Sequence, residues 1–440
     1  MIIIKGFEKA KQLLKREVPL EFCLQSSHSQ SEHDENEVST ERTVRNIIAD
    51  VQRNGDKALF DYTEKLDKAM LESLEVMPAE ISEALKNVDK KLIAALEQSA
   101  DRIYKFHITC KQKYDIGFFS DGLGKQVRPL NRVGIYVPGG SAAYPSTVLM
   151  TAIPARVAGV TEIIMATPPQ TDGTIQTSTL VAASIAKVDR IFKIGGAQAI
   201  AALAFGTSSV PKVDKICGPG NVFVAMAKKL VYGTVDIDAI QGPSEVVIIA
   251  DDTAIASICA ADLIAQAEHD SMASAILITT STQLATSVEN EIKIQLSNLK
   301  RKEIAEAAMN SNGAIVLVDS IDEAIELANV YAPEHLFLVI RNADSYIKKI
   351  QNAGCVFINN SSPVVLGDYI AGPSHVLPTG GTARFSSPLN IEDFMKSINI
   401  VALDKNDQKA LSQAAIDIAE AEGLQGHAQA IRLRLQAINE

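Results

Sequence analysis

The sequence contains no apolar run approaching the length of a membrane span. Its opening residues, Met1-Ile-Ile-Ile-Lys5, are too short an apolar patch for an export signal and lack a small-residue cleavage site. They are expected to form a first strand, and the protein is expected in the cytoplasm with no membrane partner. Basic residues are in deficit, 42 against 53 acidic, for a net charge of −11, which argues against general nucleic-acid binding because phosphate contacts need a basic face. Five scattered cysteines, Cys23, Cys110, Cys217, Cys259 and Cys355, form no CxxC pair. That excludes a disulfide framework and cysteine-clustered zinc, and leaves free thiols in a reducing compartment. Cys217 and Cys355 border strand-like runs and are candidate nucleophiles, with a buried structural role the preferred reading. Neither a GxGxxG fingerprint nor a P-loop occurs.

At 440 residues the chain can hold more than one domain. Residues 40–107 read as helical, broken at Asn54-Gly55 and near Pro78, after a polar, acidic loop over 26–39 that carries His28 and His33. Residues 117–132 read as a hairpin or extended arm. From Val133 buried strands alternate with helices up to Val231, and the rhythm restarts at Glu245 and runs to Asn359. Such alternation predicts βαβ units on parallel sheets. The expected fold class is therefore α/β, with two Rossmann-like parallel-sheet domains in tandem, a helical N-terminal insertion and a small C-terminal helical tail. The expected boundaries are 1–25 with 108–243 for the first domain, 26–107 for the insertion, 244–385 for the second domain and 386–440 for the tail. Residues 361–388, rich in Gly, Ser and Pro, read as a long irregular loop, a place where function concentrates.

The histidines are what the chain does have in a pattern. Gln266 and His269 stand three apart on a predicted helix in which Ile255, Cys259, Leu263 and Ala267 recur at helical spacing. This is either a polar helix edge or half of a ligand site. His335, His375 and His427 each lie in a turn-rich or polar segment with a carboxylate nearby: Glu334, Asp368 and Glu422. Four such segments suggest a site assembled from distant parts of the chain. Gln266, His269, Asp368 and His427 would offer zinc mixed nitrogen and oxygen ligands. Glu334-His335, after Pro333 at a helix-to-strand junction, pairs a carboxylate able to activate water with an imidazole suited to proton transfer near neutral pH; a structural pair is the alternative. Three glycine turns follow strands: Pro138-Gly-Gly140, Gly195-Gly196 and Gly218-Pro-Gly-Asn221. Turns at the carboxyl ends of parallel strands are where such folds take nucleotides, although tight-turn chemistry alone would also explain them.

Taken together, Gly134-Ile-Tyr-Val-Pro-Gly-Gly140, Gly195-Gly-Ala-Gln198, Gly218-Pro-Gly-Asn221, Gly242-Pro-Ser-Glu245, the Gln266/His269 segment, Ala332-Pro-Glu-His335, His375-Val-Leu-Pro-Thr-Gly-Gly-Thr-Ala-Arg384 and Glu422-Gly-Leu-Gln-Gly-His427 closely resemble the histidinol dehydrogenase family. The resemblance implies a zinc-dependent, NAD-linked oxidation of L-histidinol through L-histidinal to L-histidine, the last step of histidine biosynthesis. It implies zinc ligation by Gln266, His269, Asp368 and His427, and NAD contacts at Tyr136, Gln198 and Asn221. It implies substrate contacts at Ser244, His335, His375 and Glu422 together with the zinc ligands, and proton transfer by Glu334 and His335. It also implies a homodimer in which the tail completes the neighbour's site. The alternatives are a relative acting on another small alcohol, such as a sulfonated one, a zinc hydrolase using Glu334, and a non-catalytic binding protein.

Overall fold

A computed structural model of the protein describes residues 1–16, 33–114, 117–139 and 143–439. Cys23, His28 and Gly140 lie outside the described residues. In chain order the strands are β1 (Ile2–Lys5), β2 (Gly117–Ser120), β3 (Leu123–Pro129), β4 (Arg132–Tyr136), β5 (Glu162–Thr167), β6 (Arg190–Lys193) and β7 (Lys215–Cys217), followed by β8 (Asp236–Ile237), β9 (Glu245–Ala250), β10 (Ser274–Thr279), β11 (Ala314–Leu317), β12 (His335–Val339), β13 (Cys355–Ile358) and β14 (Met395–Val401).

The chain divides into two compact units. The larger, residues 1–112 and 130–394, holds both parallel sheets. One sheet is ordered β6-β5-β4-β7-β8, the other β1-β11-β10-β9-β12-β13, and every adjacent pair in each is parallel. The first sheet, and the second apart from its edge strand β1, each run 3-2-1-4-5 when numbered from their own first crossover, with a change of strand order between β4 and β7 and between β9 and β12. The α/β fold expected from the rhythm is present.

The reason the strands read as unbroken apolar runs is visible in β9, every residue of which is buried. Val246, Ile248 and Ala250 enter a core with helix Ala256–Ala267 and helix Thr282–Leu296, while Val247 and Ile249 enter a second core with helix Phe7–Leu14 and helix Ile321–Tyr331. A strand covered on both faces has no polar side to display.

Several expectations need correction. Residues 1–25 were assigned with the first sheet, but β1 pairs with β11 at the edge of the second; an apolar edge strand carries no information about which sheet it will join. The expected loop 26–39 gives way at His33 to a helix, His33–Asn54. Between β10 and β11 the chain forms two helices, Thr282–Leu296 and Lys302–Asn312. Residues 361–388 contain a short helix, Val364–Tyr369.

The smaller unit, residues 113–129 and 395–440, is more than a helical tail. The β2–β3 hairpin pairs antiparallel with β14, and helices Lys405–Ala421 and Gln425–Asn439 pack on one another through Ile416, Ala419 and Ala428. Among the described residues no helix is long and apolar enough to cross a membrane.

Candidate active site

The chemistry-bearing residues of the second sheet gather at the amino ends of the neighbouring strands β9 and β12. His335 stands opposite Val246 in the register, so Glu334 and Glu245 enter their strands side by side. Helix Ile321–Tyr331 ends on Ala332, held left-handed at φ 54, before Pro333 turns the chain into β12. A non-glycine residue in that region, followed by proline, is strained, a device that recurs where backbone must be aimed.

Glu334 and His335 are both buried, at 7% and 4% exposure. Both are fastened to the main chain of Glu245. The Glu245 N–H donates to Glu334 Oε2 at 2.8 Å, and His335 Nδ1 lies 3.0 Å from the Glu245 carbonyl. A carbonyl only accepts, so Nδ1 carries a proton and the other ring nitrogen is the one presented for chemistry. His335 Nε2 lies 3.5 Å from Asp368 Oδ1 and, buried, has no hydrogen-bond partner among the described residues.

The electrostatics are those of a coupled cluster. Burial pushes the Glu334 carboxyl up to about 7, with His335 opposing. Burial disfavours charge on His335, but Glu334 and Asp368 beside it overcome that and raise it to about 9. Burial would also raise Asp368, yet His335, His375 and His269 around it hold it below the ordinary carboxylate value. Two carboxylates and an imidazole displaced in this way in one buried spot are the arrangement expected of proton-transfer machinery.

Gln266 and His269 do not share a helix. Helix Ala256–Ala267 stops after Gln266, which is buried, and His269 is exposed in the turn beyond, its N–H still donating to the Gln266 carbonyl at 3.3 Å. The same helix packs against Val364–Tyr369, which carries Asp368. The end of that short helix is pinned from helix Lys90–Lys113: Ser99 donates to the Tyr369 carbonyl and Arg102 to that of Ile370. His375 Nδ1 donates to the Asp368 carbonyl at 2.8 Å, and its Nε2 lies 3.3 Å from Thr147 Oγ1. Ser244 is half-buried immediately before β9.

Gln266, His269 and Asp368 thus belong to the larger unit, bringing an amide, an imidazole and a carboxylate, a donor set that zinc accepts. His427 and Glu422 belong to the smaller unit: His427 is exposed on helix Gln425–Asn439, and exposed Glu422 caps helix Lys405–Ala421. Among the described residues no three His, Cys, Asp or Glu side chains form a metal cluster.

At the first sheet the glycine turns line the carboxyl ends of the strands, as the rule for open sheets requires. Gly218 sits at φ 112, and a Cβ there would lie 2.1 Å from the Tyr136 carbonyl oxygen, so only glycine lets β7 leave the switch point beside β4. Beneath this turn the buried Lys228 pairs with Asp238 and donates to the Gly218 carbonyl. Tyr136 is buried and its hydroxyl accepts from Gly196 N–H at 3.0 Å. Gln198 is buried with its Oε1 lacking a partner among the described residues. Asn221 caps helix Val222–Val231, its Oδ1 accepting from Phe223 and Val224 N–H. Glycine turns at the strand ends, with an orphaned buried acceptor on Gln198, are a donor and acceptor set that fits a dinucleotide. Burial raises the Cys355 thiol to about 11 and the Cys217 thiol well above its ordinary value, which disfavours the nucleophilic thiolate at both.

Nothing in the sequence pattern singles out Arg16 or the side chain of Glu245. Glu245 is fully buried; its Oε1 takes Arg16 Nη1 at 2.5 Å and Gly380 N–H at 3.0 Å. The Arg16 guanidinium lies over the Tyr331 ring, 3.5 Å from its centre.

Comparison with known proteins is consistent with this arrangement. A family model described as histidinol dehydrogenase matches residues 29–435. The chain is 53% identical over 438 residues to a histidinol dehydrogenase of Dehalococcoides mccartyi, covering 99% of this chain and 100% of that one. It is 52% identical over 397 residues to that of Clostridium acetobutylicum, covering 90% and 92%. The crystal structure of a histidinol dehydrogenase from Elizabethkingia anophelis superposes with a TM-score of 0.90 at 38% identity, covering 100% of this chain and 99% of that chain.

Proposed function

The chain belongs to the histidinol dehydrogenase family, and on that premise we propose that it oxidises L-histidinol through L-histidinal to L-histidine with two NAD, as a zinc-dependent enzyme of histidine biosynthesis in the cytoplasm. The observation that carries the reading is the buried Glu334–His335 pair, with Nδ1 committed to the Glu245 carbonyl and Nε2 facing Asp368 Oδ1 at 3.5 Å.

Hydride leaves an alcohol carbon readily only as the hydroxyl proton departs. His335 Nε2 is the nitrogen that takes that proton. The aldehyde has no second hydride to give until it is hydrated. Glu334, raised to about 7, exchanges protons near neutral pH and removes one from the attacking water. His335 then serves again as base on the hydrate. Each oxidation releases a hydride, which is one proton with two electrons, and a second proton that His335 takes and passes to solvent before the next step; Tyr136, Gln198 and Asn221 would hold NAD, which would supply the hydride acceptor. Zinc held by Gln266, His269, Asp368 and His427 would bind the substrate's imidazole and amino nitrogens and offset the Asp368 charge that otherwise favours a proton on His335. Ser244, His375 and Glu422 complete the substrate contacts. The family resemblance also implies a homodimer in which the tail, which carries His427 and Glu422, completes the neighbour's site.

The test is NADH formation from L-histidinol before and after chelation. Two NADH per histidinol, lost with chelator and restored by zinc, supports the reading. Turnover of a sulfonated alcohol instead would move the substrate and keep the site, and NAD-independent hydrolysis would overturn it.

A further inference from the structure

Both reactive side chains depend on one residue that takes no part in the chemistry. The Glu245 N–H fixes the Glu334 carboxylate and the Glu245 carbonyl fixes the His335 ring, at 2.8 Å and 3.0 Å. What fixes Glu245 is its own side chain, buried between Arg16 and the Gly380 N–H. Arg16 arrives from the far edge of the sheet, just beyond helix Phe7–Leu14, and lies over Tyr331 on the helix that leads into Glu334. Gly380 belongs to the Pro378–Arg384 segment, which Thr379 ties to the Gly242 N–H at 2.6 Å and Arg384 ties to the Val330 carbonyl. One buried ion pair therefore joins the residue that follows the N-terminal helix, the start of β9 whose backbone holds both reactive groups, and the Pro378–Arg384 loop.

We propose that Arg16 and Glu245 are the positioning residues of the reaction: their ion pair holds the Glu245 backbone so that Glu334 and His335 keep their orientation. The inference rests on the assignment of L-histidinol oxidation to this site. A displacement of about 1 Å at a reacting group is enough to lose on the order of 100-fold in rate without weakening substrate binding.

The experiment compares Arg16→Met, Arg16→Lys and the double variant Arg16→Met/Glu245→Met with the unaltered enzyme, using L-histidinol and L-histidinol deuterated at its carbinol carbon. Breaking one half of a buried pair leaves an uncompensated charge, whereas removing both halves together preserves folding far better. Expected is a fall in kcat of about 100-fold in Arg16→Met with KM for histidinol and NAD within about threefold. The isotope effect on kcat should rise, Arg16→Lys should recover much of the rate, and the double variant should remain slow although folded. A loss explained by a smaller folded fraction, with the isotope effect unchanged, overturns the inference, as does full kcat in the double variant. If the unaltered enzyme forms no NADH from histidinol, the assigned reaction fails instead; if it does and Arg16→Met matches it, only the positioning role fails.

Discussion

His335 and His107 are both buried histidines, and their surroundings give them opposite fates. His335 faces two carboxylates and is driven toward its charged form. His107 has burial against it, with only Asn390 at 3.2 Å in its favour, and is held down to about 4. The folded value of His107 lies below the unfolded 6.5, so as pH falls the unfolded chain takes up the proton first. Its contribution to stability is complete above pH 6.5 and is lost as pH drops toward 4, by up to about 3 kcal/mol. Denaturation midpoints taken from pH 7.5 to 4.5 should show this slope, and His107→Gln should remove it. At the reacting groups, His335→Asn should lower kcat by about 100- to 10,000-fold with little change in KM. Glu334→Gln should spare the first oxidation more than the second, so that histidinal accumulates and can be trapped by semicarbazide. Equal loss in both steps would remove Glu334 from the hydration step.

At the scale of elements, the turn between β7 and helix Val222–Val231 combines two requirements in four residues. Gly218→Ala should cost roughly 1–3 kcal/mol or more, because φ 112 and the Tyr136 carbonyl both oppose a side chain. Asn221→Ala should cost about 1 kcal/mol as a lost helix cap and also raise KM for NAD, while Asn221→Asp keeps the cap and isolates the effect on NAD; calorimetry and kinetics separate the two. Elements with a buried, two-faced position were legible in the sequence, as Val246 to Ala250 illustrates. β14 was not, because its exposed residues carry no apolar run, and Val364–Tyr369 was hidden by its brevity and by Gly367. The same division applies to the site. Glu334-His335 and the Gln266/His269 pair are local patterns that can be read along the chain. The Arg16–Glu245 pair spans 229 residues, and no local pattern announces such a contact. The sequence also offers no way to tell that β1 joins the second sheet rather than the first.

For the whole molecule, the question is whose tail serves which site. His335→Ala and His427→Ala should each be inactive alone. If the tail acts on its neighbour, every mixed dimer holds one intact site, so unfolding and refolding the two variants together should restore activity. If each tail serves its own larger unit, the mixture stays silent.

The position of β1 also bears on how the chain is made. Its partner β11 lies roughly 310 residues later, which at ribosomal speed is about 15–60 s of synthesis. Throughout that interval the nascent segment has no ladder to join, and for the first 229 residues of synthesis beyond Arg16 its partner Glu245 does not yet exist. The second sheet therefore closes late, by a contact between its earliest strand and one made roughly 310 residues afterwards. A substitution at Ile4, buried in that edge, should reduce the yield of active protein from a cell more than it lowers the stability of the finished enzyme.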